Sequence, residues 1–265
     1  FFLYMKSLKE VSGGVCAPAG FVAGGIHCGI RKNKQKKDFA LIMSKVPCAA
    51  AGVYTQNLVK GAPVVVTKRN LSDGVAQAII CNSGNANTCN KDGEAVAEEM
   101  CGLVTKVSGI PAESVVVAST GVIGLPLDIT PMADAIQQLY DSLGDDSQSA
   151  AEAIMTTDTV PKSVAVEFEA GGKLCHVGAI AKGVGMICPN MATTLIFITS
   201  DVNISSKMLQ RALSEDVKSS FNMVSIDGDR STNDTCCILA NGLAGNEKIT
   251  QPCPDYAAFR AALHH

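Results

Sequence analysis

The chain has 265 residues, 47% of them hydrophobic and 18% charged, with 22 basic against 25 acidic side chains and a formal charge of −3. That length supports one large domain or two small ones with a substantial core. Near-balanced charge, an aromatic share of 5% and no Trp exclude the usual footprint for nucleic acid or an anionic membrane surface, which leaves a small polar molecule as the expected ligand.

Up to about residue 71 the pattern predicts short strands, at 40–46, 50–55 and 63–69. The basic run "RKNKQKKD" (31–38) reads as the solvated end of a hairpin, because like charges in a short run repel one another and prefer water. "AQAIICNSGNANTCNKDGE" is a strand running into an Asn/Gly-rich loop. Asp92 then caps a helix to about 107, with Ala95, Val96, Met100, Leu103 and Val104 on one face. "ESVVVASTGVIGLPL" (113–127) delivers another strand into a glycine turn, and 131–143 and 148–155 are helical. Residues 163–182 alternate as a β-hairpin that turns at Gly171-Gly172. Helix character returns at 205–221, and 222–241 reads as strand, polar turn, strand. Strands clustered among long helices predict an α+β fold of layered sheets flanked by helices rather than a regular βαβ wind.

Eleven cysteines, an odd number without repeated spacing or any C-x-x-C, read as reduced buried thiols of a cytoplasmic protein. The four His (27, 176, 264, 265) have no zinc-site spacing, so no metal is expected. "FFLYM" is too short for the apolar core of a signal peptide. No apolar run reaches the ~20 residues of a membrane span. "GVIG" and "GVG" lack the remainder of a nucleotide loop, so no bound cofactor is expected. "DGDRSTNDTCCI" has Thr232 and Ile238 where a calcium loop needs Gly and Glu. Neither a G-x-S-x-G elbow nor a convincing catalytic His is present.

Without a histidine base, a threonine hydroxyl is activated by its own free α-amine, which titrates near neutrality. An internal threonine acquires that amine only when the bond before it is cut. In "KGVGMICPNMATTLIFITSD" (182–201) a Gly/Pro/Asn-rich approach leads to the small Ala192 and then Thr193. The residues alone leave two readings open: a released nucleophile, or a threonine that opens a strand.

The same stretch resembles the self-processing segment of the glutamate N-acetyltransferase/ornithine acetyltransferase family of arginine biosynthesis. "GGVCAPAGFVAGGIHCGIRKNKQKKDFALI", "IICNSGNANTCNKDGE", "VVVASTGVIG", "MTTDT" and "SFNMVSIDGDRSTNDT" match the family's pattern in the same order. The resemblance implies an αββα-like sandwich of the kind shared with self-cleaving aminopeptidases. It implies cleavage between Ala192 and Thr193, giving an α chain (1–192) and the start of a β chain (193–265), assembled as two α and two β. It further implies Thr193 as nucleophile, Thr120 and Gly121 as oxyanion hole, and Thr156 and Lys182 as substrate-binding residues. The substrates implied are N-acetylornithine and glutamate, with acetyl-CoA left open as a second donor. The family pattern also runs past His265, through an acidic substrate-binding segment to a C-terminal Asn and Ser/Thr. A self-cleaving amidohydrolase or aminopeptidase, and an inactive ligand-binding chain, are the alternatives.

Overall fold

The computed structural model describes residues 8–183, 194–220 and 231–265. Among them the strands are β1 (Lys9–Glu10), β2 (Phe21–Ile26), β3 (Phe39–Tyr54), β4 (Val75–Asn85), β5 (Val115–Val122), β6 (Lys162–Ala170), β7 (Lys173–Lys182), β8 (Leu195–Ser200) and β9 (Thr235–Ala240). The helices are α1 (Ala62–Asn70), α2 (Gly93–Ser108), α3 (Thr130–Asp141), α4 (Ser147–Ala153), α5 (Ser206–Ser219) and α6 (Pro254–His264). The strands form one mixed sheet in the order β1-β6-β7-β8-β9-β3-β4-β5, with β2 also on β3. β4 with β5 and β8 with β9 are parallel; the other pairs are antiparallel.

Period-two alternation sorts the strand side chains into three cores. Ile196 and Ile198 of β8 face a core covered by α5 and α6, through Leu209, Leu213 and Phe259. Ala78 and Ile80 of β4 face a second, closed by Met100 of α2 and Met132, Ile136 and Leu139 of α3. The intervening residues from both halves meet in the third: Ile79 and Cys81 of β4 with Leu195 and Phe197 of β8, joined by Ala150 and Ala151 of α4. The sheet therefore folds back on itself into two inner layers with α4 packed into the core between them and the other helices outside, the expected αββα-like sandwich. The fold-back runs through β3. Its first half pairs with β2, its second with β9, and its register on β4 shifts between Met43 and Cys48.

Most predicted elements stand where periodicity put them, including the Gly171-Gly172 hairpin and Ser205, whose hydroxyl accepts from Met208 N–H to cap α5. Three details differ. The two strands expected at 40–46 and 50–55 are one continuous β3. Residues 63–69, read as a strand from their valines, form α1: Pro63 occupies the first turn after Gly61, where a missing N–H costs nothing. Tertiary contacts override β-propensity there. Val64, Val66 and Thr67 are buried, and the Thr67 hydroxyl exchanges hydrogen bonds with both the carbonyl (2.7 Å) and N–H (2.8 Å) of Val117. Asp92 does precede α2, but its side chain makes no capping bond, and Ala95 is exposed. The strand expected near 222–226 lies outside the described residues. Of the ten described cysteines none is in a disulfide and six are buried. Burial pushes the Cys48 and Cys81 thiols up to about 12, so both are neutral.

Candidate active site

The open ends of β4, β5 and β7 frame a cleft of about 1050 Å³. Four residues singled out from sequence, Thr120, Gly121, Thr156 and Lys182, line it together. They come from β5, from the loop after α4 and from the last position of β7, so only tertiary structure unites them. Among the described residues, Arg31, Lys32 and Lys36 line the same cleft against a single acidic side chain, Asp128. The wall is cationic and suits a small anion.

Backbone crowding forces the Thr120–Gly121 turn. β4 and β5 run parallel until Gly84 meets Gly121, and the register then slips between Gly84 and Asn85. Gly121 has φ 135°, and a Cβ there would strike the Gly84 carbonyl carbon and lie 2.6 Å from Asn85 N. Only glycine allows the two backbones this close. Asn233 braces the turn from behind, its amide donating to the carbonyls of Ala86 (2.6 Å) and Ser119 (2.9 Å). Asn85 adds bonds to the carbonyls of Leu125 and Pro126, both at 3.1 Å. The segments "CNSGNANTCN" and "STNDT" form this brace. Thr120 ends nearly buried on the inner side of β5, with Gly121 exposed to the cleft.

Lys182 is 3% exposed, and its Nζ donates to Thr156 Oγ1 at 3.4 Å. Burial pulls its ammonium below the ordinary lysine range, against the opposing pull of Asp158, Cys81 and Asp234. Thr156 is set by Asp158, whose carboxylate accepts from the N–H groups of Thr156 (3.3 Å) and Gly183 (2.9 Å) and from Lys162 Nζ (2.6 Å). Burial opposes the Asp158 charge, but Lys162 and the two N–H groups outweigh it and hold the carboxyl below its usual range.

Ala192 and Thr193, with the Gly183-to-Asn190 approach from residue 184 on, lie outside the described residues. Their neighbours do not. Lys182 pairs with Leu195 across β7 and β8, and Thr194 N–H donates to Asp234 Oδ1 at 2.8 Å.

A model of the ArgJ family matches residues 22–265, nearly the whole chain. This chain belongs to the ArgJ family. It is 51% identical over 259 residues to the arginine biosynthesis bifunctional protein ArgJ of Symbiobacterium thermophilum, covering 97% of this chain and 64% of that one. It is 46% identical over 243 residues to the glutamate N-acetyltransferase of Methanocaldococcus jannaschii, covering 90% and 59% respectively. The chain thus spans less than two thirds of the length of these ArgJ relatives. Among solved structures, the ornithine acetyltransferase of Mycobacterium tuberculosis, complexed with ornithine, matches with TM-score 0.62 and 34% identity. That match covers 69% of this chain and 98% of that one. The L-aminopeptidase D-Ala-esterase/amidase of Ochrobactrum anthropi, 12% identical with TM-score 0.54 over 95% of this chain and 84% of its own, shares the fold alone. Among the described residues no group of His, Cys, Asp and Glu could hold a metal, and no helix is long and apolar enough to cross a membrane.

Sequence reasoning missed Arg31 on the wall of this ArgJ cleft and two carboxylates that brace the backbone beside it. Asp158 and Asp234 sit inside motifs quoted above, "MTTDT" and "STNDT", but nothing in their spacing shows that they hold the backbone at Gly183 and Thr194. Arg31 was hidden in a charge run. The hairpin is real, since Ile26 pairs with Phe39, yet its end is not wholly solvated. Asp38 is fully buried and accepts from the N–H groups of Cys28 (2.6 Å) and Arg31 (2.8 Å), turning Arg31 into the cleft.

Proposed function

We propose that this chain carries the nucleophile-bearing part of an acetyltransferase that moves the acetyl group of N2-acetylornithine to glutamate. The observation that carries the reading is the convergence of Thr120, Gly121, Thr156 and Lys182 on one cationic cleft in a chain of the ArgJ family. The precursor cuts itself between Ala192 and Thr193, leaving 1–192 as one chain and 193 onward as the other, and freeing the Thr193 amine. That amine takes the hydroxyl proton as Thr193 Oγ1 attacks the acetyl carbonyl. The tetrahedral oxyanion is met by the Thr120 hydroxyl and the Gly121 N–H, and ornithine leaves with the proton. Glutamate then attacks the acetyl-threonine ester, and the hydroxyl is regenerated. Lys182, desolvated and beside Thr156, receives the α-carboxylate common to donor and acceptor. The nucleophile is used twice and the amino-acid head is the same in both steps, so one pocket serves both substrates in turn. Two copies of each chain make up the assembly. Acetyl-CoA as a second donor would load the same Thr193, and N-acetylglutamate formation from acetyl-CoA and glutamate tests it.

The decisive experiment incubates the full-length protein with N-acetylornithine, with and without glutamate. Ornithine release that depends on glutamate, parallel lines in double-reciprocal plots and an acetyl adduct on the chain beginning with Thr193 are expected. Release without glutamate would make the protein a hydrolase, and intersecting lines without an adduct would mean direct transfer.

A further inference from the structure

One cation of the cleft has no task in the transfer chemistry described above. Arg31 Nη1 donates to the Met155 carbonyl at 2.9 Å and Nη2 to the Thr156 carbonyl at 3.0 Å. Its backbone N–H is fixed on buried Asp38, and Gly84 clears room for its stem, since a Cβ there would lie 2.9 Å from Arg31 Cγ. The guanidinium is therefore held in one pose on the cleft wall. Two carbonyls occupy two of its five N–H donors and bring no countercharge. Among the described residues Arg31 forms no ion pair, whereas Lys37 of the same hairpin reaches Glu152 at 2.9 Å.

Lys182 approaches the same Thr156 from its hydroxyl side. Two cations thus flank one threonine, one on its carbonyl and one on its side chain, each without a carboxylate in contact among the described residues. A ligand with two carboxylates joined by a short chain satisfies both at once. We propose that Arg31 is the receptor for the side-chain carboxylate of a dicarboxylic amino acid, with Lys182 taking its α-carboxylate. This rests on the transfer reading above and identifies what selects glutamate as acceptor. The guanidinium fork matches a carboxylate with paired, charge-assisted hydrogen bonds, while the terminal ammonium of ornithine gains nothing there.

The test compares wild type with Arg31→Gln and Arg31→Lys in the full-length protein. The KM for glutamate should rise about 10–100-fold in Arg31→Gln, the effect of losing hydrogen bonds to a charged group. The KM for N-acetylornithine should rise at least tenfold less, on the order of the same loss avoided. Arg31→Gln should also use glutamine at least as well as glutamate, and Arg31→Lys should fall between it and wild type. Equal rises for both substrates, or an undiminished preference for glutamate over glutamine, would reduce Arg31 to a staple for residues 155–156 and overturn the proposal. Calorimetry on the unaltered protein needs neither a variant nor turnover: glutarate should bind about tenfold or more tighter than valerate, its monocarboxylate counterpart. Equal binding overturns the subsite. A wild-type protein that makes no N-acetylglutamate sinks the transfer reading instead, and a glutarate preference lost in Arg31→Gln would still support the dicarboxylate subsite.

Discussion

Lys182 shows at the scale of one residue what function costs the fold. A buried ammonium is disfavoured, and burial depresses its pKa from the ordinary 10.5. Between the depressed value and 10.5 the unfolded chain binds more protons than the folded one, so this group's penalty is full below the depressed value and fades as pH rises through that window. Lys182→Met should therefore raise the melting temperature below that window and abolish transfer, and its advantage over wild type should shrink as pH rises through it. Thermal unfolding of both proteins across pH reads this; a destabilised Lys182→Met would show that the ammonium is better compensated than its contacts indicate. Thr120 predicts the opposite balance, a loss of rate with little change in binding. Thr120→Ala should lower kcat by about 10²–10³, the loss of one oxyanion donor, with a modest change in KM. A normal kcat with raised KM would move Thr120 to the binding residues. Thr193→Ala should abolish both self-cleavage and transfer, and Thr193→Ser should keep some of each, read by denaturing gel and by ornithine release.

At the scale of elements, the end of β7 and the start of β8 are each held by a buried carboxylate, Asp158 on Gly183 N–H and Asp234 on Thr194 N–H. Hydrogen bonds to a charged acceptor contribute about 1.5–3 kcal/mol each, more than enough to set where a strand begins. The Asp158 pKa is depressed, so its stabilisation is present above the unfolded value of 3.8 and is lost as pH falls through the folded value. Asp158→Asn should destabilise by about 1–3 kcal/mol above that value and by less in acid. It should also slow the appearance of the two fragments, because Thr156 and Gly183 lose a shared anchor. Unchanged cleavage kinetics with lowered stability would confine Asp158 to a structural role. The turn at Gly121 is set by close approach of β4 and β5, and Gly121→Ala should perturb it more than any surface Gly→Ala change, read as a fall in both melting temperature and kcat.

At the scale of the molecule, the proposed cleavage point precedes two central strands. β8 lies between β7 and β9, and β9 between β8 and β3, so both are hydrogen-bonded on each side to strands of which only one another follow Thr193. Phe197, Ile196 and Ile238 are buried in cores shared with residues before the cut. Removing the second fragment would break two strand ladders and expose those cores. The two fragments should therefore co-elute under native conditions and separate only in denaturant. Separation in plain buffer after cleavage would contradict this sheet order.

The sequence by itself was enough for the α+β class and for most strands and helices, because period-two and helical patterns and glycine turns are local signals, and the candidate residues were nominated by motifs in a family's order. It misplaced 63–69 because β-branched residues there report intrinsic preference, while the helix is imposed by Pro63 and by Thr67 bonding to β5. It also read Arg31 as one solvated charge among several. What only the tertiary structure decided is which of these residues meet. Thr120, Thr156 and Lys182 are brought to one cleft by the strand order β7-β8-β9-β3-β4-β5, a result of non-local pairing. Arg31 enters that cleft because Asp38, wholly buried, turns its backbone inward, and burial is a property of the packed chain rather than of any stretch of it.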